Sequence, residues 1–263
     1  MSLVLDTLTL FCYVLSALFH WLFLASRKRV LFWGALGAAC AGFGIHTWDL
    51  SVEVLRAGPL LFSELGGAAR FFSWTVVLVY LIAEGFTRIR ALGSFLVPIG
   101  LLALLLGLTL SFEESRLLPP LSSVWQILHV VLAFLGLAAF ALTFCGGLMY
   151  LIQDRYLKVK QLGGFSSRLP SLETLDRLNF WALSFGLPLL TQGLVTGAIW
   201  AGYARGSFWV WERTTWPLII IWAIYTLLFV GRWYLGWRGR RAAFAVVAGF
   251  CAVSFGYVLH TLG

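Results

Sequence analysis

Apolar residues along this chain fall into eight long runs, near 3–26, 30–48, 71–88, 91–110, 125–152, 180–201, 216–235 and 242–260, and charges gather in the gaps. A helix needs roughly 20 apolar residues to cross the hydrocarbon of a bilayer, so the pattern predicts about eight transmembrane helices. No internal repeat and no Pro- or Ser-rich linker interrupts the series. The expected fold class is all-α, a polytopic membrane helical bundle forming a single membrane domain over 1–263. After the fifth run, Leu172, Leu175 and Leu178 recur at helical spacing beside Glu173, Asp176 and Arg177. That spacing predicts a short amphipathic helix lying on the inner membrane interface.

Composition agrees with the pattern. The chain is 60% hydrophobic and 11% charged, with mean hydropathy +0.90. A soluble domain carries roughly 25% charged residues, so this one lacks the polar surface needed to face water. The net charge of +8 does not form a stripe suited to nucleic acid. Of the 19 Lys and Arg, fourteen lie in or at the edges of the gaps after odd-numbered runs, among them Arg27-Lys28-Arg29 and Arg238, Arg240 and Arg241. Five lie on the opposite side: Arg56, Arg70, Arg116, Arg205 and Arg213. Basic residues are retained on the cytoplasmic side, so both termini are expected outside. The N-terminal run has no basic n-region and reads as a retained first helix, not a signal peptide. Cys12, Cys40, Cys145 and Cys251 each sit inside an apolar run without a CxxC or CxxCH, which excludes thiol exchange and covalent c-type haem attachment as expectations for this chain.

Ionisable residues within the runs are few. Asp6, Glu84 and Arg232 lie near helix ends, where anchoring or snorkelling accounts for them, and no mid-membrane charge points to a pump. Histidines carry more information. His20 reads as a packing residue near the inner end of the first run. His46 lies near the outer end of the second, beside Trp48 and Asp49. His129 lies one turn inside the outer end of the fifth, and His260 at the outer end of the eighth. Two neutral imidazoles on facing helices make an axial pair for haem iron. The segment from Gly206 to Trp216 offers the rest of such a site: Phe208, Trp209 and Trp211 as an apolar shelf, and Arg205 and Arg213 as cations for propionates. Composition alone favours an interfacial aromatic belt over such a shelf.

At this segment, GSFWVWERTTW between GAIWAGYAR and PLIIIWAIY, the chain resembles the haem-handling family that includes CcsA, CcmC and the HemX-like proteins. That family shares an outer Trp-rich loop of the form WGxYWxWDPKETW, flanked by two outer histidines. The stretch VWQILHVVLAFLGLAAFALTFCGGLMYLIQDRYLK is similar to its fifth helix, with His129 at the first outer-histidine position. VLH, ending in His260, matches the second. The family-like core covers about 59–263, and eight runs fit the CcsA/HemX branch better than CcmC. The loop departs from the family at Glu212, which stands for Asp, at Arg213, which stands for Pro, and at Arg205, which stands for Trp. It is also one residue shorter before Trp216. Two intramembrane histidines of CcsA-type exporters have no counterpart at Gly58 to Ser63 or at Val230.

The resemblance implies a component that binds or delivers haem on the outer face during cytochrome c biogenesis, without stand-alone catalytic activity. It implies one haem b or none, bound by His129 and His260 as iron ligands with Trp209, Trp211, Phe208, Arg205 and Arg213 around it. It also implies a bacterial-type inner (plasma) membrane location with the Trp loop outside. The partners it implies are haem, an apocytochrome c and a CcsB-like protein, with no nucleic acid. Two alternatives stay open: a HemX-like regulator of tetrapyrrole synthesis acting through 153–179, and a non-catalytic membrane subunit of a larger complex.

Overall fold

A computed structural model describes residues 2–57, 65–110, 124–160, 163, 166–206 and 215–262; of these, the side chains of 2, 204, 205, 215–217 and 253–262 are outside the description. Among the described residues there are eight α-helices: α1 (Ser2–Ser26), α2 (Arg29–Ala57), α3 (Leu65–Thr87), α4 (Gly93–Thr109), α5 (Val124–Lys158), α6 (Leu172–Arg205), α7 (Thr215–Trp233) and α8 (Arg240–Leu262). A short 3-10 turn, Ser166–Arg168, precedes α6. Each apolar run became one helix. Among the described residues, five segments are long and apolar enough to cross a membrane: Leu3–Ser26, Arg29–Arg56, Leu65–Thr87, Val124–Lys158 and Leu172–Tyr203. Gly93–Thr109 and Leu218–Trp233 are shorter apolar helices.

Local chemistry sets the ends. Ser171 caps α6, its Oγ accepting the Thr174 N–H at 3.2 Å, and Glu173 in the first turn complements the helix dipole. The other end of α6 stops at Gly206, whose φ of 71° is the left-handed conformation that a glycine adopts without penalty. By contrast, α1, α3 and α5 finish near basic residues in that conformation, Arg27, Arg88 and Lys160. Their cationic side chains suit the negative end of the helix dipole.

The expected separate amphipathic helix does not form. Residues 172–178 are the first two turns of α6, and Leu175 and Leu178 are buried. Their charged neighbours are used there: Arg177 pairs with Glu173 at 2.7 Å, and Asp176 reaches α7. Helix α2 also runs nine residues beyond its expected end at 48, and α3 starts six residues earlier than expected.

The chain divides into two compact units, Met1–Ser123 and Val124–Gly263. In the first, α1 packs on α2 and α4, and α3 on α4 and α2. Tyr13, Val77 and Leu104 form its apolar centre. In the second, α5 runs antiparallel to α6 and α8, and α7 packs on α6 and α8. Phe140, Leu183, Leu190, Ile221, Tyr225, Leu228 and Val246 fill its core.

Candidate functional site

The α5–α6 contact is built from small residues facing one another. A Cβ at Gly136 would stand 2.9 Å from Leu190, one at Gly186 would stand 2.9 Å from Ala139, and one at Gly193 would stand 2.8 Å from the Ala133 backbone. Such stripes let helix backbones approach where lipid gives no hydrophobic drive to association. The stripe ends at Gly197, where the space is taken by a ring. A Cβ there would lie 2.5 Å from His129 Nδ1. His129 therefore lies directly against α6, and its Nδ1 donates to the Gly193 carbonyl at 2.7 Å. Thr196 Oγ1 also lies 3.0 Å from that carbonyl, with its shorter bond to the Gln192 carbonyl at 2.7 Å. A carbonyl can only accept, so the proton is on Nδ1 and the lone pair of the neutral ring is on Nε2.

Helix register brings further predicted residues to this end. Phe250 of α8 stacks on Phe144, 4.2 Å between centroids, and touches Phe140 at 5.6 Å. His260 is ten residues beyond Phe250, roughly 15 Å along the axis, and His129 is eleven residues before Phe140 on an antiparallel helix, roughly 16 Å. The backbones of the two histidines thus reach a similar level; the His260 side chain lies outside the description. Arg205 is the last residue of α6, its side chain also outside it. Phe208, Trp209, Trp211 and Arg213 lie outside the described residues. In sequence they fall between the end of α6 at Arg205 and the start of α7 at Thr215.

The opposite end of this unit is held by ions. Arg232 grips the Asp176 carboxylate at 2.7 and 3.1 Å and its carbonyl at 2.9 Å, and lies over the Phe180 ring. Asp176 also accepts the Gly239 N–H at 3.0 Å. Arg232 is thus a cross-helix tie and not a snorkelling anchor.

The first unit contains a polar site that sequence reasoning missed. Arg70, expected in an outer segment, is buried in α3 with 1% of its side chain exposed. Its Nη1 donates to both oxygens of Glu53 at 2.6 and 2.7 Å, and its Nη2 to Asp6 at 2.8 Å and to Asp49. Asp6 is therefore part of an ion cluster, and Glu84 is buried instead of reaching an interface. His46 does not pack on Trp48, which is exposed; its Nδ1 meets Tyr13 Oη at 3.2 Å. His20 packs as expected, with Tyr80 Oη on Nε2 at 2.9 Å and its carbonyl accepting from Ser94 at 3.0 Å. The signal was present as periodicity: Asp6, Thr9, Tyr13, Ser16 and His20 share one face of α1, and Arg70, Ser73, Tyr80 and Glu84 one face of α3. Hydropathy averaged over a whole span hides such a stripe. Among the described residues no group of three or more His, Cys, Asp or Glu is arranged to hold a metal ion.

A sequence model of the Cytochrome C assembly protein family matches residues 62–262. The cytochrome c biogenesis protein CcsA of Guillardia theta is 26% identical over 275 residues, covering 96% of this chain and 91% of that protein. CcsA of Gloeobacter violaceus is 28% identical, covering 98% and 92%, and that of Microcystis aeruginosa is 29% identical, covering 84% and 81%. Among solved structures, the cytochrome c haem lyase CcmF superposes with a TM-score of 0.67 at 19% identity, over 97% of this chain and 46% of that one. This last likeness concerns the fold alone, and the chain spans under half of that protein. An all-helical integral membrane protein with these matches belongs to the cytochrome c assembly protein family, and its role lies in cytochrome c maturation.

Proposed function

We propose that the chain holds one b-type haem at the end of the second unit where α6 gives way to the Trp-rich segment, and presents it on the outer face for delivery to an apocytochrome c. His129 and His260 are the axial ligands. Trp209, Trp211 and Phe208 cover the macrocycle, and Arg205 and Arg213 meet the propionates. The observation that carries this reading is the bond from His129 Nδ1 to the Gly193 carbonyl. Histidines that ligate metals commonly donate their other ring N–H to a carbonyl or carboxylate, which fixes the tautomer and raises the basicity of the ligating nitrogen. His129 has that arrangement, with Nε2 as the electron-pair donor. The chemistry of the donor set thus fits haem.

When bound, the haem supplies the macrocycle that maturation of a c-type cytochrome consumes. This chain's own residues hold it in place: His129 is immobilised on α6 by Gly197 and Gly193, while the loop residues exclude water from one face. A CcsB-like protein is the expected partner on the outer side of an inner (plasma) membrane. Haem-loaded protein should show a low-spin spectrum. His129→Gly and His260→Gly should each become high-spin, with imidazole restoring part of the parental spectrum, and the double variant should bind none. His46→Ala should match the parent, because His46 bonds to Tyr13 in the first unit. Parental spectra from both single variants would move the ligands elsewhere.

A further inference from the structure

We propose that the turn between α7 and α8 forms a binding site for the phosphodiester head group of an acidic membrane phospholipid. This site is independent of the haem reading. A cavity of about 450 Å³ lies there, lined by Trp237, Arg240, Arg241, Phe244 and Ala245. The turn that shapes it is firmly held. The Trp237 N–H donates to the Gly231 carbonyl at 3.0 Å, and the Trp237 ring fills the space that a side chain at 231 would need, 2.6 Å from such a Cβ. The Gly239 N–H is held by Asp176.

The charges at this cavity are at most weakly engaged. Arg241 has no carboxylate partner among the described residues. Arg240 is exposed and stands 3.6 Å from Asp154, which is already engaged by Lys158 at 2.7 Å. Two guanidinium groups thus border a cavity whose other walls are two aromatic rings and a methyl group. Guanidinium matches phosphate oxygens in geometry and charge.

What makes the occupant a lipid is the surface beneath the arginines. Arg241, Phe244, Ala248 and Cys251 follow one face of α8, and all four are exposed. A charged rim therefore continues into an apolar strip along a helix of a membrane protein. A soluble anion would use only the rim; a phospholipid would place its head group on Arg240 and Arg241 and an acyl chain along Phe244, Ala248 and Cys251. Exposed Trp233 and Tyr234 on the same turn are suited to the headgroup level of a bilayer.

Native mass spectrometry of the full chain in detergent, with equimolar phosphatidylglycerol and phosphatidylcholine, tests this. The parent should retain phosphatidylglycerol in excess. The Arg240→Gln/Arg241→Gln variant should lose up to about 30-fold of that preference, the contribution of two interfacial cations. A Lys28→Gln/Arg29→Gln variant, with the same loss of charge elsewhere, should keep it. Millimolar inorganic phosphate should not displace the lipid. Phosphate displacing it would show a free-anion site, and the idea also fails if the two double variants behave alike or if the parent shows no preference.

Discussion

Arg70 gathers three carboxylates around one guanidinium where almost none of its surface meets water. Desolvating such charges is costly, and each depends on the others for compensation. Arg70→Ala should therefore destabilise the first unit by about 3–5 kcal/mol, the range for a buried pair stripped of one member. Thermal unfolding in detergent measures this, with Glu173→Ala as a control because its pair with Arg177 is exposed. An Arg70 variant as stable as the control would show that the cluster is not what holds α1, α2 and α3 together. Sequence reasoning placed Arg70 among outer basic residues because counting Lys and Arg by gap says nothing of partners. Its three partners are 17, 21 and 64 residues away in the chain, beyond any local pattern. His129, by contrast, was legible as a candidate from its position, but the carbonyl that sets its tautomer was not.

Helix α6 serves two roles along its length, and both depend on small residues. Between Gly186 and Gly197 it provides a surface on which α5 lies closely; at Gly197 that surface becomes the seat of His129. Gly197→Ala should push the imidazole off the Gly193 carbonyl while leaving the rest of the helix pair in place. In haem-loaded protein this should weaken the low-spin spectrum, whereas Gly44→Ala in α2, where an added Cβ meets nothing within 4 Å, should not. Equal spectra for Gly197→Ala and parent would remove α6 from the site. The helices themselves were legible because lipid demands long apolar runs. Their ends were less so. Charged residues at 172–178 lower the local hydropathy and suggested an interfacial helix, yet Asp176 is neutralised by Arg232 and the leucines turn inward, so one helix continues through. No averaging along the sequence detects a partner on α7.

At the scale of the whole molecule, the distribution of fourteen basic residues against five predicts both termini outside the cytoplasm. A reporter that fluoresces only in the cytoplasm, fused after Gly263, should stay dark, and a bright fusion would put the Trp-rich segment on the inner side. Family membership was legible in the segments around His129, Trp209 to Trp216 and His260, and residues 62–262 match the family model. The proposed haem count rests on the same comparison of positions: Val230 and the stretch from Gly58 to Ser63 hold no histidine, so the proposal assigns one haem to the outer pair and none to a second site. The most direct test is a pyridine haemochrome determination, with an electron paramagnetic resonance spectrum, on the purified, haem-supplied parent protein. One b-type haem per chain with a low-spin ferric signal is the predicted result; colourless protein, or two haems per chain, would contradict it.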